Sequence, residues 1–148
     1  MNAYRPVVLG VAALLGLAAC GGDDQDDDSD ESAEVGPPSG ATCPADSMVS
    51  YDSDIKAFMM SYCTKCHATN VPAAQRNGAP SDHNFDTELG IINEATHIDE
   101  AAAAGPTITN TMMPPKGYPA PSVAERQKLG EYLACHANLS GSDHHHDQ

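Results

Sequence analysis

Cys63, Cys66 and His67 belong to the pentapeptide Cys-Thr-Lys-Cys-His, which constrains this chain of 148 residues more than any other feature. The pattern C-x-x-C-H is the attachment sequence of c-type haem. Two thiols at this spacing share one helical turn, where each can add to a vinyl group of haem, and the next residue then presents its imidazole to the iron. The motif therefore predicts one covalently bound haem c, attached to Cys63 and Cys66, with His67 as an axial ligand of the iron.

A C-x-x-C pair also occurs in redox dithiols and in zinc sites. A zinc site needs a second pair of ligands, and Cys135-His136 is a poor candidate because its two members are adjacent. Thioredoxin-like chemistry needs strands around the motif, and the neighbouring residues show no strand pattern. Haem attachment is therefore the favoured interpretation.

A second axial ligand is predicted in the segment 110–115, which reads Asn-Thr-Met-Met-Pro-Pro. Pro115 fixes its own φ and restricts the residue before it, so the loop is stiff. A stiff loop suits a thioether, which is a weak ligand. We favour Met113, directly before the prolines, over Met112. Three histidines remain as rival ligands, namely His83, His97 and His136.

The N-terminal segment predicts export and lipidation. Arg5 is followed by the apolar run 7–17, whose length fits a secretory signal better than a membrane-spanning helix. The run leads into Leu-Ala-Ala-Cys, which resembles a bacterial lipobox and implies cleavage before Cys20 and acylation of that cysteine. Several acyl chains anchor a protein stably to a membrane. The alternative is an ordinary signal peptide followed by a chance cysteine.

Charge and composition divide the chain into four expected segments: a signal peptide at 1–19, an acidic disordered tether at 20–41, one folded domain at 42–139 and a disordered His-rich tail at 140–148. The tether carries eight acidic side chains and no basic one, so it is too polar to fold alone. The net charge is -14, and from residue 41 onward 13 acidic side chains still outnumber 6 basic ones. This balance argues against nucleic acid as a partner and predicts redox partners with basic docking surfaces.

Cys43 and Cys135 are the two cysteines that remain when Cys20 is lipidated and the haem motif takes its pair. Exported proteins keep their disulfides, so we predict a bond between these two. It would close a loop of roughly ninety residues and stabilise the fold by up to about 4–5 kcal/mol in the chain-entropy model. The alternative is two free thiols.

Three helices are predicted from apolar residues at helical spacing. The first, capped by Asp52 or Ser53, runs into the haem motif. The second follows Thr87 and ends near Gly105, and the third begins at Ser122 with a capping-box pattern. Their shared faces comprise Ile55, Phe58, Met59 and Tyr62; Ile91, Ala95, Ile98 and Ala102; and Leu129, Tyr132, Leu133 and His136. The expected fold is therefore all-α.

The order of these features resembles the class I cytochrome c family: a helix ending in Cys-Thr-Lys-Cys-His, a Met-Pro-Pro loop and a capped last helix. Shorter stretches resemble monohaem lipoproteins of the myxobacterial type, namely 54–56, 76–80, 84–87, 113–115 and 124–129 followed by Cys135. The resemblance covers the chain from about Cys43 to Leu139. It implies first and last helices that cross around the haem, with His67 and Met113 as axial ligands. His136 departs from it, since we expect glycine at that position in relatives.

Iron held by histidine and methionine has no open coordination position, so the expected function is single-electron transfer and not catalysis. The alternatives are a haem-containing subunit of an envelope dehydrogenase, or a peroxidase or gas-binding protein in which Met113 is not a firm ligand. Gly21 directly after the lipidated cysteine favours attachment to the outer membrane, with the domain facing the periplasm or the cell surface. The expected location is thus the bacterial cell envelope.

Overall fold

The computed structural model describes residues 35–137, so the predicted signal peptide, the lipidation site Cys20 and the His-rich tail lie outside the described residues. Within this range the elements are, in order, a π-helical turn at Tyr51–Ile55, α1 at Lys56–Tyr62, a 3₁₀ turn at Ala73–Gln75, α2 at Glu88–Asn93, α3 at Ala95–Ala102 and α4 at Val123–His136. The described part of the chain has no strand, apart from one isolated bridge between Ala104 and Thr109. The prediction of an all-α domain is confirmed for this part.

The helix before the haem motif begins earlier than predicted. Ser50 caps it, because the Ser50 hydroxyl accepts a hydrogen bond from the backbone N–H of Ser53 at 3.3 Å. The chain first makes a π-helical turn and then continues as α1. Asp52 and Ser53 lie inside that turn, so the prediction that one of them is the cap is wrong.

The predicted second helix is divided into two. Thr87 caps α2 as expected, accepting a hydrogen bond from the N–H of Gly90 at 3.1 Å. The chain leaves helical geometry at Glu94, with φ -109° and ψ 20°, and α3 starts at the next residue. α3 ends at Ala102, earlier than predicted. The Ala103 carbonyl oxygen accepts from the N–H of Asn110, and the N–H of Ala104 donates to the Arg126 carbonyl oxygen.

α4 has the predicted capping box, in which Ser122 accepts from the N–H of Glu125 and the Glu125 carboxylate accepts from the N–H of Ser122. Its glycine, Gly130, allows a close approach to the segment after α3, since a methyl group there would lie 2.5 Å from the Ala104 carbonyl oxygen. Neither α4 nor any other helix in the described range is long and apolar enough to cross a membrane.

The helices pack around one apolar cluster. Its buried members are Ile55, Phe58, Met59, Phe85, Ile91, Ala95, Ile98, Ala102, Ala103, Leu129, Tyr132 and Leu133. The three predicted helical faces are therefore buried, except that Tyr62 lies at the edge of the cluster and His136 is exposed.

Residues 36–41, which we expected to end the tether, pack against the domain. Ser39 is buried, and its N–H and hydroxyl donate to the Asp99 carboxylate at 2.7 and 2.6 Å. The N–H of Gly36 donates to the Glu100 carbonyl oxygen at 3.0 Å. A buried carboxylate requires such donors, so the packed region starts before residue 42.

Cys43 and Cys135 form the predicted disulfide. Because 92 positions separate the two cysteines, the bond joins the start of the folded region to the last turn of α4. The bond also argues against the zinc alternative for Cys135-His136, because zinc binds cysteine as a free thiolate.

An ion pair joins the first helical segment to α4. The Lys128 ammonium donates to the Asp54 carboxylate at 2.8 Å. Hydrogen bonds from Lys128 and Ser53 lower the pKa of Asp54 from 3.8 to about 2. Because the folded-state pKa lies below the unfolded one, the pair stabilises the fold above about pH 4, and this contribution is lost as the pH falls toward about 2.

We expect Asp54→Asn to reduce the acid sensitivity of the fold. Between about pH 5 and pH 2, the variant should lose less free energy of unfolding than the wild type, because it has no carboxylate to protonate. Urea titrations at several pH values measure this. Lys128→Met, which removes the partner, should also flatten the profile. If the wild type and both variants lose stability equally as the pH falls, the Asp54–Lys128 pair is not the source of the acid sensitivity.

Candidate haem site

The three residues of the haem motif lie at the end of α1. The N–H of Cys63 donates to the Met59 carbonyl oxygen at 2.9 Å, and the N–H of His67 donates to the Cys63 carbonyl oxygen at 3.0 Å. The second bond closes one helical turn that contains Cys63, Cys66 and His67. Both cysteines are free and half-buried. The structure therefore brings the three residues together on one turn, with two thiols available.

Burial determines the chemistry of the Cys63 thiol. It raises the pKa of Cys63 to about 12, and the positive charge of Arg126 offsets only part of this rise. A redox dithiol reacts through a thiolate whose pKa is lowered. Cys63 is instead a neutral thiol near pH 7, which argues against thioredoxin-like chemistry.

The imidazole of His67 is held in one orientation. Its Nδ1 donates to the carbonyl oxygen of His83 at 3.3 Å, and its ring stacks on Phe85 with centroids 4.6 Å apart. Burial lowers the pKa of His67, which favours the neutral ring. With the proton on Nδ1, the lone pair is on Nε2. A histidine that binds a metal commonly has its other nitrogen fixed by a carbonyl oxygen in this way.

Arg76 fixes the loop that provides this carbonyl group. Its guanidinium is buried and donates to the carbonyl oxygens of Ala68 at 2.9 Å and His83 at 2.8 Å, and to the side-chain oxygen of Asn84 at 3.0 Å. The carbonyl oxygens of residues 79 and 80 accept further hydrogen bonds. The His83 carbonyl thus accepts from both Arg76 and His67, so the arginine positions the acceptor that orients the candidate iron ligand.

Met113 lies in the loop before α4, and its half-buried side chain packs against the apolar cluster that Cys63 also contacts. Its N–H donates to the Ala101 carbonyl oxygen, and its own carbonyl oxygen accepts from the Arg126 guanidinium, each at 2.9 Å. Arg126 also shifts the pKa of Cys63, so one guanidinium lies near both residues. Met112 is more exposed. Met113 is thus the more buried of the two methionines, and its role as the second ligand stays a prediction.

The rival histidines have other contacts. Nε2 of His83 and Nδ1 of His97 both lie against the Glu94 carboxylate, at 3.3 and 3.0 Å. His136 is exposed and stacks on a core tyrosine near the end of α4. The choice of Met113 over these histidines stays a prediction.

Arg76 and Arg126 are the site residues that the sequence analysis did not identify. Each donates to backbone carbonyl groups, and because every residue has one, such contacts leave no pattern of side chains in the sequence. One signal was present for Arg126, because it precedes Leu129 by three positions and Leu133 by seven. It therefore falls on the buried face of α4, where a charged residue needs several acceptors.

A cavity of about 310 Å³ lies between α1 and α4, and its lining residues include Phe58, Tyr62, Glu125 and Lys128. None of the four predicted haem residues lines it, so it is distinct from the candidate site. The donor set at the motif, with two free thiols and an imidazole held through Nδ1, fits covalent haem. Comparisons with protein-family models, with curated proteins and with solved structures found no match to this chain.

Proposed function

We propose that this chain is a monohaem c-type cytochrome, with a class I cytochrome c-like domain that carries single electrons in the bacterial cell envelope. One observation carries the proposal: Cys63 and Cys66 share a turn with His67, whose Nδ1 is held by the His83 carbonyl at 3.3 Å. This arrangement provides two sites of covalent attachment and one oriented nitrogen ligand, as the C-x-x-C-H motif requires.

The residues of the chain have separate roles in this proposal. Cys63 and Cys66 would hold haem through two thioether bonds, and the addition of each S–H across a vinyl group would need no oxidant. Nε2 of His67 and Sδ of Met113 would bind its iron. Haem would supply the one-electron couple between ferric and ferrous iron, and the protein would set its potential through the ligands, the burial and the nearby hydrogen bonds.

Two ligands on the iron explain why we propose a carrier and not an enzyme. With His67 and Met113 both bound, a substrate or gas can reach the iron only by displacing a ligand. Arg76 fixes the loop beside the first ligand, and Arg126 fixes the backbone of the second. Rigidly held ligands favour electron exchange, because little rearrangement accompanies the change of oxidation state.

The charge of the chain indicates how it meets its partners. The region from residue 41 onward is acidic, with 13 acidic and 6 basic side chains, so we propose redox partners with basic docking surfaces and salt-sensitive association. Acylated Cys20 would anchor the domain to a membrane, and the acidic residues after it would hold the domain away from the lipid.

Visible spectroscopy tests the proposed function. We expect the purified ferric protein to be low-spin, with a sulfur-to-iron charge-transfer band near the red end of the spectrum, and the ferrous protein to resist CO. A high-spin spectrum with rapid CO binding would contradict the carrier function and favour a peroxidase or gas-binding protein.

A further inference from the structure

The side chains of His83, Glu94 and His97 meet on the surface beside the loop that orients His67. Nε2 of His83 lies 3.3 Å from Oε2 of Glu94, and Nδ1 of His97 lies 3.0 Å from the same oxygen. One ligand atom from each residue lies within 4.8 Å of the other two. We propose that these three residues bind a divalent transition-metal ion, for which Zn²⁺ is the representative.

The distances fit such an ion. Zinc is bound by imidazole nitrogen and carboxylate oxygen at about 2.0–2.2 Å, and in a tetrahedral site this places neighbouring ligand atoms roughly 3.3 Å apart. Both measured separations are close to this value. Two histidines and one glutamate with a water in the fourth position form a known zinc ligand set, and imidazole also suits the other late first-row metals.

The backbone holds the three ligands in place. Glu94 lies at the junction of α2 and α3, and His97 follows it on α3 by three positions, which puts the two side chains on one helical face. His83 comes from the loop that Arg76 fixes, since Arg76 donates to the His83 carbonyl at 2.8 Å. A metal would therefore join that loop to the α2–α3 junction with little rearrangement.

The cluster is also accessible from solvent. The side chains of His83 and Glu94 are about one-fifth exposed, and that of His97 is more than half exposed. An ion can enter from the His97 side and keep a water there. The acidic charge of the domain attracts cations to the surface. Because a bound metal stabilises the folded state by mass action, the site would strengthen the loop around His67.

The test must separate this cluster from the histidines at 144–146, because their imidazoles are also of the ligand type that zinc takes. We therefore use the full chain with His144→Ala, His145→Ala and His146→Ala as the background. Titration with Zn²⁺ in a calorimeter should give one equivalent bound. Adding His97→Ala or Glu94→Gln should weaken the affinity at least about tenfold, because each removes one of three protein ligands. His136→Ala, another exposed histidine, is the matched control and should leave the affinity unchanged.

The outcomes distinguish this inference from the proposed function. If the background protein binds no zinc, or if Glu94→Gln and His97→Ala bind it as tightly as the background, the three side chains are an ordinary surface network and the metal site is wrong. Haem content is read from the visible spectrum of the same samples. If the protein binds zinc through these residues but contains no haem, the proposed function is wrong and the zinc site stands, because His83, Glu94 and His97 are not proposed haem ligands.

Discussion

Met113→Ala is expected to leave haem attached and to lower the reduction potential. In the proposed site, attachment depends on Cys63, Cys66 and His67, whereas the thioether of the Met113 side chain stabilises ferrous iron relative to ferric iron. We expect a fall of at least about 60 mV, which is a tenfold change in a one-electron equilibrium. The sulfur-to-iron band should disappear, and CO binding and peroxidase activity should rise. Spectroelectrochemistry and CO titration of the purified variant measure these changes.

Met112→Ala is the matched control for this prediction. Met112 is 37% exposed, whereas Met113 packs against the apolar cluster, so the control should change neither the band nor the potential appreciably. If only Met112→Ala loses the band, Met112 is the ligand and the assignment to Met113 is wrong. An unchanged spectrum in both variants would contradict ligation by either residue.

Arg126→Met is expected to destabilise the domain strongly. The Arg126 guanidinium is buried and donates to three carbonyl oxygens, those of Ala102, Asn110 and Met113, at 2.7, 2.8 and 2.9 Å. Methionine keeps the aliphatic stem but leaves these acceptors without their donor. Each buried polar group that loses its partner costs about 1–3 kcal/mol, so we expect a loss of at least about 3 kcal/mol. The melting temperature should fall by more than about 10 °C for a domain of this size.

Lys128→Met is the control for this loss of stability. It removes a positive charge from the same helix two positions later, but Lys128 is exposed and forms a surface ion pair. Such pairs contribute roughly 0–1 kcal/mol, so its melting temperature should stay within a few degrees of the wild type. Similar melting of Arg126→Met and Lys128→Met would show that the three carbonyl contacts do not stabilise the fold.

Local patterns predicted much of the helical structure. The capping residues Thr87 and Ser122 were identified because their signals involve neighbouring positions along the chain. The break at Glu94 was not predicted, since apolar spacing continues across it and places Ile91, Ala95 and Ile98 on one face whether the helix is single or divided. Apolar periodicity reports which residues are buried and carries little information about where the backbone leaves helical geometry.

Several contacts that hold the domain and the candidate site have no signature in the local sequence. Ser39 was assigned to a disordered tether on its polar surroundings, yet it bonds to Asp99, 60 positions later. Arg76 bonds to backbone carbonyl groups along its own loop, and Arg126 to carbonyl groups of the α3–α4 connection. Such acceptors exist at every residue, so only the three-dimensional arrangement shows which of them an arginine reaches.

Peptide mapping of the purified mature protein tests covalent haem attachment most directly. After reduction and alkylation, we expect Cys43 and Cys135 to carry the alkyl label, because their disulfide is reducible. Cys63 and Cys66 should carry no label, and one haem should remain on the peptide that contains both, since thioether bonds resist reduction. Full alkylation of Cys63 and Cys66, with no haem on their peptide, would contradict the proposal that this chain is a c-type cytochrome.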